Sequence, residues 1–152
     1  MNNLDLKKNL YRFCMDFVQE RVSLIQSQMK EVHEALTSET KSSVGDKHET
    51  GRAMLQLERE KLGRQLAEAG NMMQLLNKVD ISSKKQVASL GSLVKTTGAH
   101  YFLAISAGEF KTGPEKYYCI SLNTPIGVML LGKSVGDTIS FNGNEIHILD
   151  IA

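Results

Sequence analysis

The sequence lacks most of what would mark a chain for a special environment. It has no tryptophan, two prolines and two cysteines among 152 residues. Cys14 and Cys119 stand far apart with no CxxC partner, which excludes a disulfide framework and predicts two reduced, partly buried thiols. There is no excess of charge of either sign. Eighteen basic and 17 acidic residues leave a formal net charge of +1, so no global field drives the chain onto nucleic acid or an anionic membrane. No apolar run approaches the roughly 18 residues of a membrane span. None follows Lys7 and Lys8 either, so no signal peptide is expected and the chain reads as cytoplasmic. Internal repeats and low-complexity segments are also missing.

What is present is a pattern that changes period once. The 41% apolar content supports a core, and the length fits one ordinary domain or two small ones. Residues 4–36 contain neither Gly nor Pro. Val18, Val22, Ile25, Met29, Val32 and Leu36 step by fours and threes, the stripe of a helix facing a partner helix. Leu6, Leu10, Phe13, Phe17 and Leu24 cover a second face of the earlier turns, so the base is predicted to pack on two sides and the far end on one. Residues 37–50 break the pattern and read as a loop. From Gly51 the period returns in Leu55, Leu62, Leu66, Ala69, Met73 and Leu76. Two facing stripes joined by a short loop predict an antiparallel helical hairpin, or coiled coil, over residues 1–79.

A polar linker, residues 80–86, leads to residues 87–152, where the period is that of strands. Residues 87–95 read as a strand bent at Gly91, residues 99–105 and 117–122 as two more, and residues 106–115 as a surface loop. Thr124-Pro125 starts a short helix that Gly132 stops. Asn142-Gly143, between two alternating runs, predicts a tight hairpin. The fold class expected is α+β: a helical hairpin, then a small antiparallel β domain with one short helix.

At the tip of the hairpin, Asp46 and Glu49 stand three residues apart. An acidic pair at this spacing is what a capping-box-like helix start would carry, since acidic groups favour a helix N-terminus. Lys41, Lys47 and Arg52 could steer a phosphate or simply solvate the loop, and His48 could join a proton transfer. His33, His100 and His147 share no metal-ligand spacing with the cysteines, so no zinc site is read.

Ile120-Ser121-Leu122-Asn123-Thr124-Pro125-Ile126-Gly127, followed by Leu130-Leu131-Gly132-Lys133 and Gly136-Asp137, resembles the C-terminal signature of Gre-type bacterial transcript cleavage factors. The order of parts is similar, and Gly45-Asp46-x-x-Glu49 resembles that family's tip motif. Two features depart from it. Arg52 and Ala53 stand where the family carries a second glutamate and a tyrosine, and its threonine-and-glycine opening is missing before the first long helix.

The resemblance implies an FKBP-like C-terminal domain and a hairpin that enters the secondary channel of RNA polymerase. Asp46 and Glu49 would there be the catalytic pair, positioning a second Mg²⁺ and its water for cleavage of backtracked RNA. The chain would then be no enzyme itself. It would stimulate the polymerase's own hydrolysis, meeting the nascent RNA 3′ end and DNA only through the elongation complex and touching no membrane. The alternative, which Arg52 and Ala53 favour, is a cleavage-inactive homologue that occupies the channel and modulates or inhibits the polymerase. A stand-alone prolyl isomerase is the third reading. Tyr101, Phe102, Tyr117, Tyr118 and Phe141 would line its groove, but no tryptophan is present to floor it.

Overall fold

The structure is a computed structural model that describes the backbone of residues 2–41 and 46–152 and the side chains of residues 2–38 and 49–152. Helix α1 (Asn3–Lys41) and helix α2 (Asp46–Lys78) come first. Strands β1 (Leu93–Thr96), β2 (His100–Leu103), β3 (Gly108–Thr112) and β4 (Glu115–Ile120) follow, then helix α3 (Pro125–Leu130) and strands β5 (Thr138–Phe141) and β6 (Asn144–Ile151). The fold is α+β, as the change of period predicts. Two compact units divide it: residues 18–73, and residues 1–17 together with 74–152.

The first unit is a pair of antiparallel helices. Ile25, Val32 and Leu36 of α1 are buried with Leu62 of α2, and Met29, Leu55 and Leu66 pack around them. These are the stripe positions, and burying each aliphatic side chain contributes about 1.5–3 kcal/mol. The predicted loop over residues 37–50 is shorter than the pattern suggested. Helix runs on to Lys41 and resumes at Asp46, because polar residues extend a helix once an apolar stripe has nucleated it.

The second unit is built on a six-stranded sheet of order β3-β4-β2-β1-β6-β5. It is mostly antiparallel, but β2 and β4 run parallel, with Tyr101 beside Tyr118 and Phe102 beside Cys119. β3 causes this exception. The chain leaves β2, forms β3 at the sheet edge and turns back through Gly113, so that β4 inserts beside β2. The loop expected over residues 106–115 is therefore a strand. Of Gly-Glu-Phe-Lys-Thr only Phe110 is apolar, so an edge strand of this composition carries no alternation to read. The strand expected over residues 87–95 is also shorter. Gly91, at φ 88°, makes a turn before β1, and Val87 contributes a lone bridge to Ser134.

Each sheet face has its own cover. Ala88, Val94, Leu103, Ile139, Ile148 and Ile151 form one core with Ile126 and Leu130 of α3. Near Phe102 and Cys119, the other face receives the first turns of α1, where Phe13 meets Phe110 edge-on with ring centroids 5.4 Å apart. Leu6, Leu10 and Cys14 are buried there. Asn3 Nδ2 donates to Asp150 Oδ2 at 3.2 Å, Lys7 Nζ to the Ser83 carbonyl at 3.3 Å and the Tyr11 hydroxyl to the Leu76 carbonyl at 3.1 Å. The predicted second apolar face of α1 ends here: Phe17 is half-buried, whereas Leu24 is 60% exposed.

The segment leading into α3 is held by its own side chains. Thr124 is the N-cap, donating Oγ1–H to the Ser121 carbonyl at 2.8 Å and accepting the Gly127 N–H at 3.1 Å. Pro125 fills the first helical position, where a missing N–H costs nothing. Gly127 lies against the preceding backbone. A Cβ there would strike the Ser121 carbonyl oxygen and stand 2.8 Å from Thr124 Oγ1 and 3.1 Å from Leu122 Cα. The Asn142-Gly143 hairpin forms as predicted, both residues having positive φ (52° and 78°).

A second local device joins β2 to the β3–β4 turn. His100 Nδ1 accepts the Thr96 N–H at 3.2 Å, so Nε2 carries the proton and faces Glu115 Oε2 at 3.2 Å. The same carboxylate oxygen accepts the Tyr117 hydroxyl at 2.8 Å. That hydrogen bond, and then the nearby His100, hold the Glu115 carboxyl below its usual range. Desolvation, and then Glu115, push the Tyr117 phenol up to about 12.

Two measurements test this account. Gly127→Ala is expected to cost more than about 2 kcal/mol in urea unfolding, because backbone rather than a flexible side chain blocks the added methyl. Gly70→Ala, in the exposed face of α2 with open space around it, should instead gain about 0.5–1 kcal/mol. As for pH, the folded state holds the Tyr117 proton more tightly than the unfolded chain does. Its contribution is therefore complete below the ordinary tyrosine range near 10 and is lost as pH rises through about 12. A phenolate absorbance titration should show a component ionising near 12 that Tyr117→Phe removes, while Tyr101, pushed up by its own burial and then by Tyr118, still ionises late.

Candidate functional site

The acidic pair singled out by the sequence falls in the first turn of α2, which begins at Asp46. Three residues apart on a helix is one side of one turn, so Asp46 and Glu49 belong to a single face. The N-terminal helix dipole favours negative charge there, which makes this a low-cost place to keep two carboxylates together. Glu49 is exposed. The side chains of Asp46, Lys41, Lys47 and His48, and residues 42–45 entirely, lie outside the described residues.

Arg52 follows one turn later, in the place of the second glutamate expected from the resemblance. It is half-buried and reaches across the hairpin, where Nη1 donates to the Leu36 carbonyl of α1 at 3.4 Å. An arginine so used ties the distal ends of the two helices together. Ala53, in the tyrosine's place, is an exposed methyl. Nothing in the sequence marks the Arg52–Leu36 contact. The nearest signal is the position itself, since Arg52 comes three residues before the first stripe residue, Leu55.

Two carboxylates from one helical turn fit part of a Mg²⁺ site. That ion accepts one or two carboxylates and keeps water or phosphate oxygen in its other positions. Among the described residues no group of three or more His, Cys, Asp or Glu side chains converges.

The remaining candidates are dispersed. His33 is exposed on α1, and His147 is hydrogen-bonded to Thr138 Oγ1 at 2.9 Å. His100 is engaged with Thr96 and Glu115 as described above. Of the proposed groove aromatics, Phe102 and Tyr117 are buried, and Tyr101 and Phe141 pack against the α3-side core. Tyr118 stacks on Tyr101 at 6.1 Å. No described helix is long and apolar enough to cross a membrane.

Comparison with known proteins adds little to this geometry. No family model matches the sequence, and no curated protein matches it. Among solved structures, the chain is similar to the one described as the transcription factor Gfh1. That likeness has 19% sequence identity and a TM-score of 0.34, over 88% of this chain and 90% of that one.

Proposed function

We propose that this chain is a Gre-like transcription elongation factor that binds RNA polymerase, inserts its helical hairpin into the secondary channel and stimulates cleavage of backtracked RNA. One observation carries the reading. Asp46 and Glu49 share the first turn of α2, at the end of a helix pair whose apolar stripes face one another. The resemblance of residues 120–137 to the Gre-type signature supports it from the sequence side. At 1.5 Å per residue, a helix of 33 residues is about 50 Å long, a reach suited to a narrow channel.

The division of labour follows from the donor set. Asp46 and Glu49 bind and orient one face of a cation that polymerase and RNA hold on the other. Both carboxyls need only be ionised, the ordinary state of an exposed acid at neutral pH. Mg²⁺ held there would supply charge neutralisation at the scissile phosphate and an activated water. The chain therefore has no hydrolytic activity alone.

Arg52 favours a second reading, a homologue that occupies the channel without promoting cleavage. Its guanidinium holds the two helices together at a place where the family has a further acid.

One experiment separates the two. Purified protein is added, with Mg²⁺, to a stalled, backtracked elongation complex, and both retention on the complex and release of a short 3′ RNA are followed. The first reading expects release, with Asp46→Asn or Glu49→Gln reducing its rate at least about tenfold while retention persists. Retention without release establishes the second reading, and Arg52→Glu is then expected to raise release from its basal level. Absence of retention defeats both.

A further inference from the structure

Between the end of α2 and the turn that precedes β1, the chain leaves a polar cavity of about 60 Å³, with Lys78, Asp80, Ser83, Lys85, Ser89 and Ser92 in its walls. Gly91 shapes it. Its φ of 88° turns the chain, and a Cβ there would stand 3.1 Å from Val79 Cγ1, so the turn sits close against the residue that follows α2. Ser89 Oγ is buried and has no hydrogen-bond partner among the described residues. A hydroxyl is costly to bury in that condition, and one so placed calls for an explanation. Ser92, 4% exposed, accepts the Ser89 N–H at 3.0 Å, a bond that leaves its own hydroxyl hydrogen unused.

The charges in the walls are unequal. Lys78 and Lys85 bring two positive charges, and Asp80 brings one negative. Asp80 Oδ1 is already engaged, accepting the Ser82 N–H at 3.0 Å and the Ser82 hydroxyl at 2.6 Å. Lys7 adds a third positive charge next to the cavity, its Nζ donating to the Ser83 carbonyl at 3.3 Å. We infer that this cavity binds one phosphate group, with the Ser89 hydroxyl donating to a phosphate oxygen and Lys78 and Lys85 neutralising its charge. The site lies in the second compact unit alone and does not rest on the polymerase reading.

Size, sign and chemistry agree on that ligand. One water needs about 10–15 Å³, so the cavity has room for roughly four, the footprint of four oxygens around one centre. Three positive charges against one negative leave an excess of two, which a phosphate dianion balances and a metal cation would aggravate. Hydroxyl and ammonium hydrogens are donors, and donors to a charged oxygen make the stronger class of hydrogen bond. The source of the phosphate is either the free ion or the terminal group of a larger molecule whose remainder stays outside.

The full-length protein is titrated with sodium phosphate near neutral pH, with sodium chloride holding the ionic strength constant, and its backbone amide resonances are followed. The shifts are expected to saturate with one phosphate per chain, to be largest at residues 83–92, and to give a dissociation constant in the millimolar range or tighter. At a tenfold excess over that constant the melting temperature should rise by about 3–6 °C. Ser89→Ala deletes an unpaired hydroxyl, so it should match the wild type in chloride yet lose most of the phosphate-dependent rise. Lys85→Met should weaken binding at least about fivefold. Competition by adenosine monophosphate assigns the site to terminal phosphates of larger molecules, and its failure assigns the site to the free ion; both sustain the proposal. Shifts that chloride reproduces, shifts that never saturate, shifts centred away from residues 83–92, or undiminished phosphate binding by Ser89→Ala overturn it. The wild-type shift map decides the matter even if neither variant folds.

Discussion

The burial of the first turns of α1 against the sheet is the contact on which the other arrangements depend. One continuous helix contributes to both compact units. Its opening turns are apolar on two faces and belong with the sheet, whereas its remaining turns are apolar on one face and pair with α2. The change from two faces to one occurs between Phe17 and Leu24, near the boundary between the units. The return of the chain is tied at the same end, where Tyr11 holds the Leu76 carbonyl and Lys7 holds that of Ser83. A helix anchored in this way needs only a single stripe to recruit its partner. That is why the outer surface of the hairpin tolerates so much charge and even exposed Leu24, Met54 and Leu57.

The segment carrying the resemblance to Gre-type factors proves to be a structural device. Ser121 offers its carbonyl to Thr124, Thr124 caps α3, Pro125 opens the helix, and Gly127 leaves the space that the preceding backbone fills. Thr124, Pro125 and Gly127 each have a local physical reason, and none of those reasons concerns RNA or metal. A match there therefore speaks to how the C-terminal domain is built. Chemistry at a polymerase centre has to be argued from the tip, where the helix start at Asp46 and the exposure of Glu49 are the relevant facts.

How far the sequence could be read follows the same division between local and distant causes. The apolar stripes, the α3 cap and the Asn142-Gly143 turn are set by residues a few positions apart, and all three were legible. β3 was not, because an edge strand with one apolar residue owes its existence to pairing with β4. The parallel pairing of β2 with β4 was hidden for a related reason: nothing in either strand says which neighbour it will meet. At the candidate site, the acidic pair could be read from spacing, whereas the use of Arg52 as a clamp to Leu36 could not.

That clamp bears on how a cation would be held. Charge repulsion from one arginine is a weak objection, since a unit-charge pair about 4 Å apart in water is worth only about 1 kcal/mol and salt reduces it further. The guanidinium is moreover engaged with the Leu36 carbonyl on the other helix. Loss of a ligand is the larger effect. On the proposed function, Arg52 stands where a third acid would offer oxygen to the ion or its water, and that oxygen would have to come from polymerase, RNA phosphate or bound water. Cation positioning at Asp46 and Glu49, as proposed, would then depend more on the partner than at a three-acid tip. The pair would gather little Mg²⁺ in free solution and act only once inserted.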